Sequence, residues 1–204
     1  MKKLIPAAIF LCLIVSAGTT KAFSQNMQPA AETDKTSPSY DMKGQSLVDL
    51  ERAQAKFVAL AKALPAKKLT WRPAPDARSF AEVFLHVSGE RYGILALMGT
   101  PLPAGYDGKT YEKSTTDQSK IVEELNKSWE FTKAAITGMS NADFAKPLPK
   151  LGPDANAGDV IYILVADAHE HLGQVVAYAR VNGVVPPWTV EAEKQAAENK
   201  AKQK

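Results

Sequence analysis

Cysteine and histidine are among the rarest residues of this sequence. The chain of 204 residues contains one cysteine, Cys12, and three histidines. Cys12 lies in an N-terminal segment that we expect to be removed, which leaves no disulfide, no thiolate metal ligand and no cysteine nucleophile. Stability must then come from packing, and the remaining chain of about 180 residues is long enough for one domain with its own core.

Long apolar runs are also missing, apart from one at the N-terminus. Two lysines precede an apolar run over residues 4–17, and small and polar residues follow up to Ala22. This pattern is typical of a secretory signal peptide, here residues 1–22, because the run is shorter than the roughly 20 residues that cross a bilayer as a helix. We predict cleavage after Ala22 or just after Gln25, a periplasmic or secreted bacterial protein, and no stable membrane anchor after cleavage. A retained anchor is the alternative.

The sequence has no excess of basic residues once the signal peptide is set aside. Its removal takes away three lysines and no acidic residue, which leaves 22 basic and 22 acidic residues. Nucleic-acid binding depends on clustered Lys and Arg, so a near-neutral chain lacks the electrostatic footprint for it. We therefore expect no nucleic-acid partner.

Polar segments flank the predicted domain, which covers residues 45–188. Residues 23–44 contain Pro and Ser and show little hydrophobic periodicity, so we expect a disordered lead-in. Residues 189–204 are mostly Ala, Glu and Lys with almost nothing apolar to pack, so we expect a charged tail that is a frayed helix or disordered.

Four segments of the domain show the apolar spacing of amphipathic helices. We predict these helices at about 45–64, 80–98, 117–136 and 159–181. The second begins with a capping box, in which Ser79 and Glu82 each accept a hydrogen bond from the other's backbone amide. Sustained alternation of period two is missing, which argues against strands. The sequence therefore predicts an all-α protein, an up-and-down four-helix bundle.

Polar residues interrupt the apolar face of the fourth predicted helix. Asp167, His171 and Gln174 share that face with Leu164 and Tyr178, since successive residues are rotated by about 100°. An inward carboxylate and imidazole are unfavourable unless they are paired or bind a cation. Asp167 and His171 are spaced i, i+4, which is how one helix offers two ligands to one metal ion.

A third ligand is available on the second predicted helix. His86 lies at the edge of the apolar stripe there, with Glu82 and Glu90 one turn away on either side. If the two helices are neighbours, His86, Asp167 and His171 bind one divalent ion and leave a position open for water. Zinc is the first candidate, and nickel, iron and manganese suit the same donors. The alternative is a hydrogen-bonded structural Asp–His pair, with His86 an ordinary surface histidine.

Several other residues are predicted to lie outside the candidate metal centre. His169 projects about 160° away from His171, so we expect it to pack under another helix or at a subunit interface rather than to bind the same ion. Trp71 is expected to plug one end of the core. Arg72 and Arg78 are expected either to meet an anionic substrate or to pair with neighbouring acids.

Two stretches of the sequence resemble the DinB-like superfamily of bacterial four-helix-bundle proteins. They are TWRPAPDARSFAEVFLHVSGERYGIL (70–95) and VADAHEHLGQVVAYARVNGVVPPW (165–188). The specific parts are the WRPAP-x-x-RS loop, the histidine in the helix that follows it, and the segment H-x-GQ-x-x-x-Y-x-R-x-x-G-x-x-P-P. The resemblance extends over about residues 45–188 and implies the same bundle.

The resemblance also implies a metal centre of three histidines, one on the second helix and two at i, i+4 on the fourth. By position these are His86, His171 and, in place of a histidine, Asp167. Aspartate is a competent ligand for the same ions. The alternative is that this departure marks a lost site.

Several activities follow from such a centre. Some members of the family are thiol-dependent transferases or isomerases. Export argues against a thiol-dependent reaction here, because pools of small thiols are cytosolic. Hydrolysis by a metal-bound water is the other reaction that such a centre supports, with Glu90 as the candidate proton acceptor. We expect a metal-dependent transferase or hydrolase. One alternative is a non-catalytic exported module that binds metal or a small molecule in an apolar pocket lined by Trp71 and Tyr178. The other alternative is a purely structural bundle. We expect a homodimer, because bundles often pair through an exposed helix face.

Overall fold

Helices account for nearly all of the regular structure. A computed structural model describes residues 41–203, so the predicted signal peptide and residues 23–40 of the predicted lead-in lie outside the described residues. Over the described range the chain forms helices and no strand, which confirms the predicted all-α class. The helices are α1 (Met42–Ala63), α2 (Phe80–Ala96), α3 (Gln118–Thr137), α4 (Asn141–Phe144), α5 (Ala157–Val181) and α6 (Pro187–Lys202), with 3₁₀ turns at Ala66–Lys68 and Tyr111–Lys113.

Capping residues set where the long helices begin. The predicted helices correspond to α1, α2, α3 and α5. The helix α1 begins earlier than predicted because the Asp41 carboxylate accepts a hydrogen bond from the Gly44 amide. The helix α5 begins at Ala157 because the Asn156 side chain accepts from the amides of Gly158 and Asp159.

Two helices were not among the four predicted ones. The short helix α4 follows Ser140, whose amide and hydroxyl both donate to the carboxylate of Asp143. The helix α6 occupies most of the predicted charged tail and buries none of its residues. It starts with Pro187, whose fixed φ suits the first turn of a helix.

The four long helices enclose one hydrophobic core. Both α1 and α2 pack against α3 and against α5. Phe57 of α1 and Phe84 of α2 meet edge to face, with their ring centroids 6.4 Å apart. The fully buried side chains of this core include Leu60, Leu85, Leu95, Ile121, Leu125, Val160 and Ile161. The up-and-down direction of successive helices stays a prediction.

One charged side chain lies inside the core. Arg91 is 1 % exposed, and its Nη1 donates to Gln54 Oε1 (2.8 Å), Leu125 O (3.1 Å) and Ser128 Oγ (3.0 Å). Its Nη2 is buried and has no hydrogen-bond partner among the described residues. Burial lowers the pKa of Arg91 to about 10, against the opposing pull of the Asp167 charge. A protonated guanidinium thus joins α1, α2 and α3 and lies close enough to α5 to interact with Asp167.

Among the described helices, none has both the length and the apolar composition that crossing a bilayer would require. The apolar run over residues 4–17 lies outside the described part of the chain.

Candidate metal centre

The helices α2 and α5 bring His86, Asp167 and His171 together. Each side chain offers one ligand atom, and the three atoms lie within 4.8 Å of one another. The two imidazole rings are nearly perpendicular at 87°, with centroids 4.6 Å apart. The three side chains are 12 %, 17 % and 9 % exposed, respectively. The residues that the sequence predicted as metal ligands therefore form one compact, largely buried group.

A capping box begins α2 about two turns before His86. The Glu82 amide donates to Ser79 Oγ (3.3 Å), and the Ser79 amide donates to Glu82 Oε2 (2.7 Å). Both hydrogen bonds satisfy amides that a helix start would otherwise leave without partners. The box was predicted from the sequence, and the structure confirms it.

The His86 ring is held by a carboxylate that the sequence did not reveal. Its Nδ1 lies 2.6 Å from Oε1 of Glu112, in the 3₁₀ turn between α2 and α3. A carboxylate only accepts hydrogen bonds, so Nδ1 carries a proton, and in the neutral ring the lone pair then lies on Nε2. No local pattern reveals this partner, because it lies 26 residues away in an irregular loop.

Glu112 is itself held as an anion. The Arg78 guanidinium binds it with two hydrogen bonds, from Nε (2.9 Å) and Nη2 (3.1 Å). Burial by itself would raise the pKa of Glu112, but the hydrogen bonds from Arg78 and His86 outweigh it and lower the pKa below its usual value. The chain of contacts therefore runs from Arg78 through Glu112 to His86.

The His171 ring is held in the same manner from its own helix. Its Nδ1 lies 2.8 Å from Gln174 Oε1, and Gln174 Nε2 donates to Tyr178 Oη at 3.0 Å. The other nitrogen, Nε2, lies 3.3 Å from Asp167 Oδ1. Burial lowers the pKa of His171, but the hydrogen bonds with Asp167 and Gln174 outweigh it and raise the pKa. A proton and a metal ion would therefore compete for Nε2.

Aromatic packing supports this second chain of contacts. The Tyr178 ring meets Trp71 and Phe80 edge to face, at centroid distances of 5.4 Å and 5.5 Å. Trp71 packs against the core, as predicted for a residue that closes one end of it. The three rings pack against one another, and their packing fixes the hydroxyl that orients Gln174.

The remaining candidates lie outside the group. Glu90 Oε1 is 3.8 Å from His86 Nδ1, beyond hydrogen-bond distance and next to the nitrogen that Glu112 occupies. The exposed His169 binds Asp49 of α1, with 2.7 Å between Nε2 and Oδ2, and takes no part in the group. Of the two arginines in the loop before α2, Arg72 is paired with an acid, Glu82, as Arg78 is with Glu112.

This donor set fits a divalent metal ion. Metal-binding histidines characteristically donate their second nitrogen to a carboxylate, a carbonyl or water, which fixes the tautomer. Here both Nδ1 atoms have an oxygen partner. The Nε2 atom of His171 faces Asp167 Oδ1 at 3.3 Å, so an ion bound there would replace a proton between these two ligands. Two nitrogens and one oxygen, with further positions open, suit an ion that works on a bound molecule.

Comparisons with known proteins agree with this architecture. None of the curated proteins compared with the chain matches it. The crystal structure of a conserved protein from Enterococcus faecalis superposes with a TM-score of 0.56 at 16 % sequence identity, covering 68 % of this chain and 95 % of that chain. At that identity the likeness shows the fold alone. A family model of the DinB superfamily matches residues 49–175, more than half of the chain and inclusive of all three candidate ligands. The chain belongs to the DinB superfamily.

Proposed function

We propose that this protein binds one divalent metal ion through His86, Asp167 and His171 and uses it in a transferase or hydrolase reaction. The observation that carries the proposal is the matched engagement of the two imidazoles, each with Nδ1 on an oxygen acceptor, around a shared carboxylate. A plain structural Asp–His pair accounts for Asp167 and His171. It does not account for a second imidazole, from another helix, whose centroid lies 4.6 Å from that of His171 and whose Nδ1 is engaged by its own carboxylate.

Zinc is the first candidate for the ion, and nickel, iron and manganese suit the same donors. When bound, such an ion lowers the pKa of a coordinated water or thiol and polarises a substrate oxygen. The side chains of this protein hold the ion and keep its imidazole ligands in one tautomer. Glu90, beside His86 and partly exposed, stays the candidate proton acceptor.

A binding module without catalysis is the second candidate, and the burial of the ligands favours it. The three side chains are 9–17 % exposed, and the larger cavities of about 390, 330 and 510 Å³ are lined by other residues. A protein that only stores or carries an ion has no use for a substrate cavity beside it.

Export and dimer formation remain part of the proposal. Export is supported by the N-terminal sequence of Lys2 and Lys3 followed by an apolar run. Pairing of two chains is supported by apolar side chains on the outer surface of α5, where Tyr162 and Ile163 are exposed.

Elemental analysis of protein purified without a histidine tag tests the metal centre. We expect about one divalent ion per chain, lost in His171→Ala because one of three ligands is removed. His169→Ala is the matched control, since this histidine lies on the same helix but binds Asp49. A parent protein without stoichiometric ion, whose melting temperature is the same in EDTA and in zinc, would contradict the proposal.

Turnover separates the two candidate functions. The metal-loaded protein would be assayed against a panel of esters, amides and thiol-acceptor pairs, with EDTA-treated protein and His171→Ala as blanks. Metal-dependent turnover supports the enzyme. Stoichiometric metal without turnover across the panel supports the binding module.

A further inference from the structure

The 3₁₀ turn at Tyr111–Lys113 is fastened to the helices on both sides of it. Tyr111 Oη donates to Glu124 Oε2 of α3 at 2.6 Å, and Tyr106 Oη donates to the Gly89 carbonyl of α2 at 3.1 Å. The rings of Tyr92, Tyr106 and Tyr111 pack against one another at centroid distances of 5.0–6.0 Å. This part of the loop therefore has a defined position beside His86.

A glycine in α2 gives the loop its close approach. A Cβ atom at Gly89 would lie 3.1 Å from Tyr106 Oη and 3.2 Å from Tyr111 Cδ1. These distances are tighter than nearly all contacts that Cβ atoms make, so the tyrosines would have to move by a few tenths of an ångström to admit an alanine. Gly89 lies less than one turn after His86, and the loop it admits carries the carboxylate that reaches the His86 ring.

The contacts of Glu112 and Arg78 determine which ring nitrogen of a neutral His86 carries the proton. A neutral imidazole carries its proton on either nitrogen, and only the form with Nε2 free can bind an ion through that atom. Glu112 accepts the Nδ1 proton at 2.6 Å, and Arg78 fixes both oxygens of Glu112 with its two donors. The loop thus selects one tautomer of His86 before any ion arrives.

We propose that Glu112, held in place by Arg78, is a positioning residue for the metal centre, which presents Nε2 of His86 to the ion by accepting the proton on Nδ1. This inference rests on the proposed function for its role in metal binding. The competing interpretation is an ordinary ion pair, in which Arg78 and Glu112 only fasten the loop to α2. The two differ in whether the His86 ring responds when Glu112 is changed.

Zinc affinity is the first measurement, by competition with a chromophoric chelator at fixed pH. Removal of an outer partner of a metal-binding histidine typically weakens metal binding about 10- to 100-fold, and we expect a loss in that range for Glu112→Ala. Glu112→Gln keeps an acceptor oxygen and is expected to lie between Glu112→Ala and the parent. Glu90→Ala is the matched control, because Glu90 lies 3.8 Å from the same Nδ1 without a hydrogen bond. It is expected to change the affinity less than about threefold.

A second pair of variants tests the arginine. Arg78→Gln leaves Glu112 without its two donors and is expected to weaken zinc binding as well. Arg72→Gln is its control in the same loop, since Arg72 pairs with Glu82 at 3.0 Å and not with the partner of His86. Equal effects of these two changes, or equal effects of Glu112→Ala and Glu90→Ala, overturn the proposal.

The third measurement uses the metal-free protein and separates this proposal from the proposed function. ¹⁵N NMR reads the tautomer of each imidazole, and the chain has three histidines to assign. We expect the Nδ1–H form of His86 in the parent and a shift toward Nε2–H in Glu112→Ala. An unchanged His86 tautomer in that variant overturns the proposal.

A parent that binds no zinc overturns the proposed function, while the tautomer still decides the role of Glu112. Glu112→Leu, which is closer in size and has no acceptor oxygen, serves if Glu112→Ala does not fold.

Discussion

At the scale of single residues, Asp167 stands where the resemblance to the family implied a histidine. The structure provides a physical context for the carboxylate. Buried Arg91 has one nitrogen, Nη2, without a hydrogen-bond partner among the described residues, and the Asp167 charge acts to raise the Arg91 pKa. A buried cation is costly without a nearby anion, and a neutral histidine at position 167 would supply none. The Asp167 charge therefore acts on Arg91 and would also act on an ion bound at the candidate centre.

A change of Asp167 to asparagine tests this double role. Asp167→Asn keeps the shape and removes the charge, so we expect weaker zinc binding and a free energy of unfolding that is lower by about 1–3 kcal/mol in EDTA. Asp167→His is expected to keep metal binding and to share the loss of stability. Urea denaturation in EDTA and zinc titration measure the two effects.

The control for that prediction is Asp49→Asn, which removes a carboxylate from an exposed pair with His169. Exposed pairs contribute little, so a change below about 0.5 kcal/mol is expected there. Equal stability of the parent and Asp167→Asn in EDTA would show that Arg91 does not depend on Asp167.

The sequence alone was sufficient to identify the site residues that follow helical periodicity. Asp167 and His171 stood out because they are polar, one turn apart and on an apolar face. His86 followed from its place at the edge of an apolar stripe and from the resemblance to the family. Glu112 did not stand out, because an irregular loop has no period and Glu112 lies 26 positions after His86 in the sequence. The support of the site by the loop therefore required the three-dimensional structure.

At the scale of helices and turns, the departures from prediction have local causes. The helix α1 starts before Gln45 because Asp41 caps it, although the surrounding sequence is polar. The helix α6 forms without a buried residue because Ala, Glu and Lys are strong helix formers. Amphipathic spacing detects helices with a buried face. The start of α6 packs through Trp188 against the core, and the rest of α6 depends on intrinsic propensity.

Two glycines of α2 provide a matched test of how the loop packs. At Gly89 an added Cβ lies 3.1 Å from Tyr106 Oη, whereas nothing lies within 4 Å of one at Gly93. We expect Gly89→Ala to lower the free energy of unfolding by about 1–3 kcal/mol through overpacking and to weaken zinc binding by displacing Glu112. Gly93→Ala should raise stability by about 0.5–1 kcal/mol, because alanine is the better helix former.

Urea midpoints and zinc titrations of both glycine variants check this contrast. If Gly89→Ala and Gly93→Ala were stabilised alike, the tyrosines would not be confined by α2 and the loop would have no fixed position relative to His86.

At the scale of the whole molecule, the candidate ion would act as a cross-link. His86 lies on α2 and the other two ligands on α5, two helices that pack against each other. Because the chain has a single cysteine, Cys12, no disulfide within the chain joins these two helices. An ion that binds only the folded chain stabilises it. The added stability rises with the logarithm of the ratio of the free ion concentration to Kd.

Thermal unfolding tests this cross-link directly. At a free zinc concentration 100 times Kd, we expect about 2.7 kcal/mol of added stability, which raises the melting temperature by about 5–10 °C for a domain of this size. EDTA should reverse the rise. His86→Ala should abolish it by removing the only ligand from α2, whereas His169→Ala should retain it because that histidine pairs with Asp49 on the surface. A rise of the same size in His86→Ala would place the zinc elsewhere on the chain and exclude a bridge between α2 and α5.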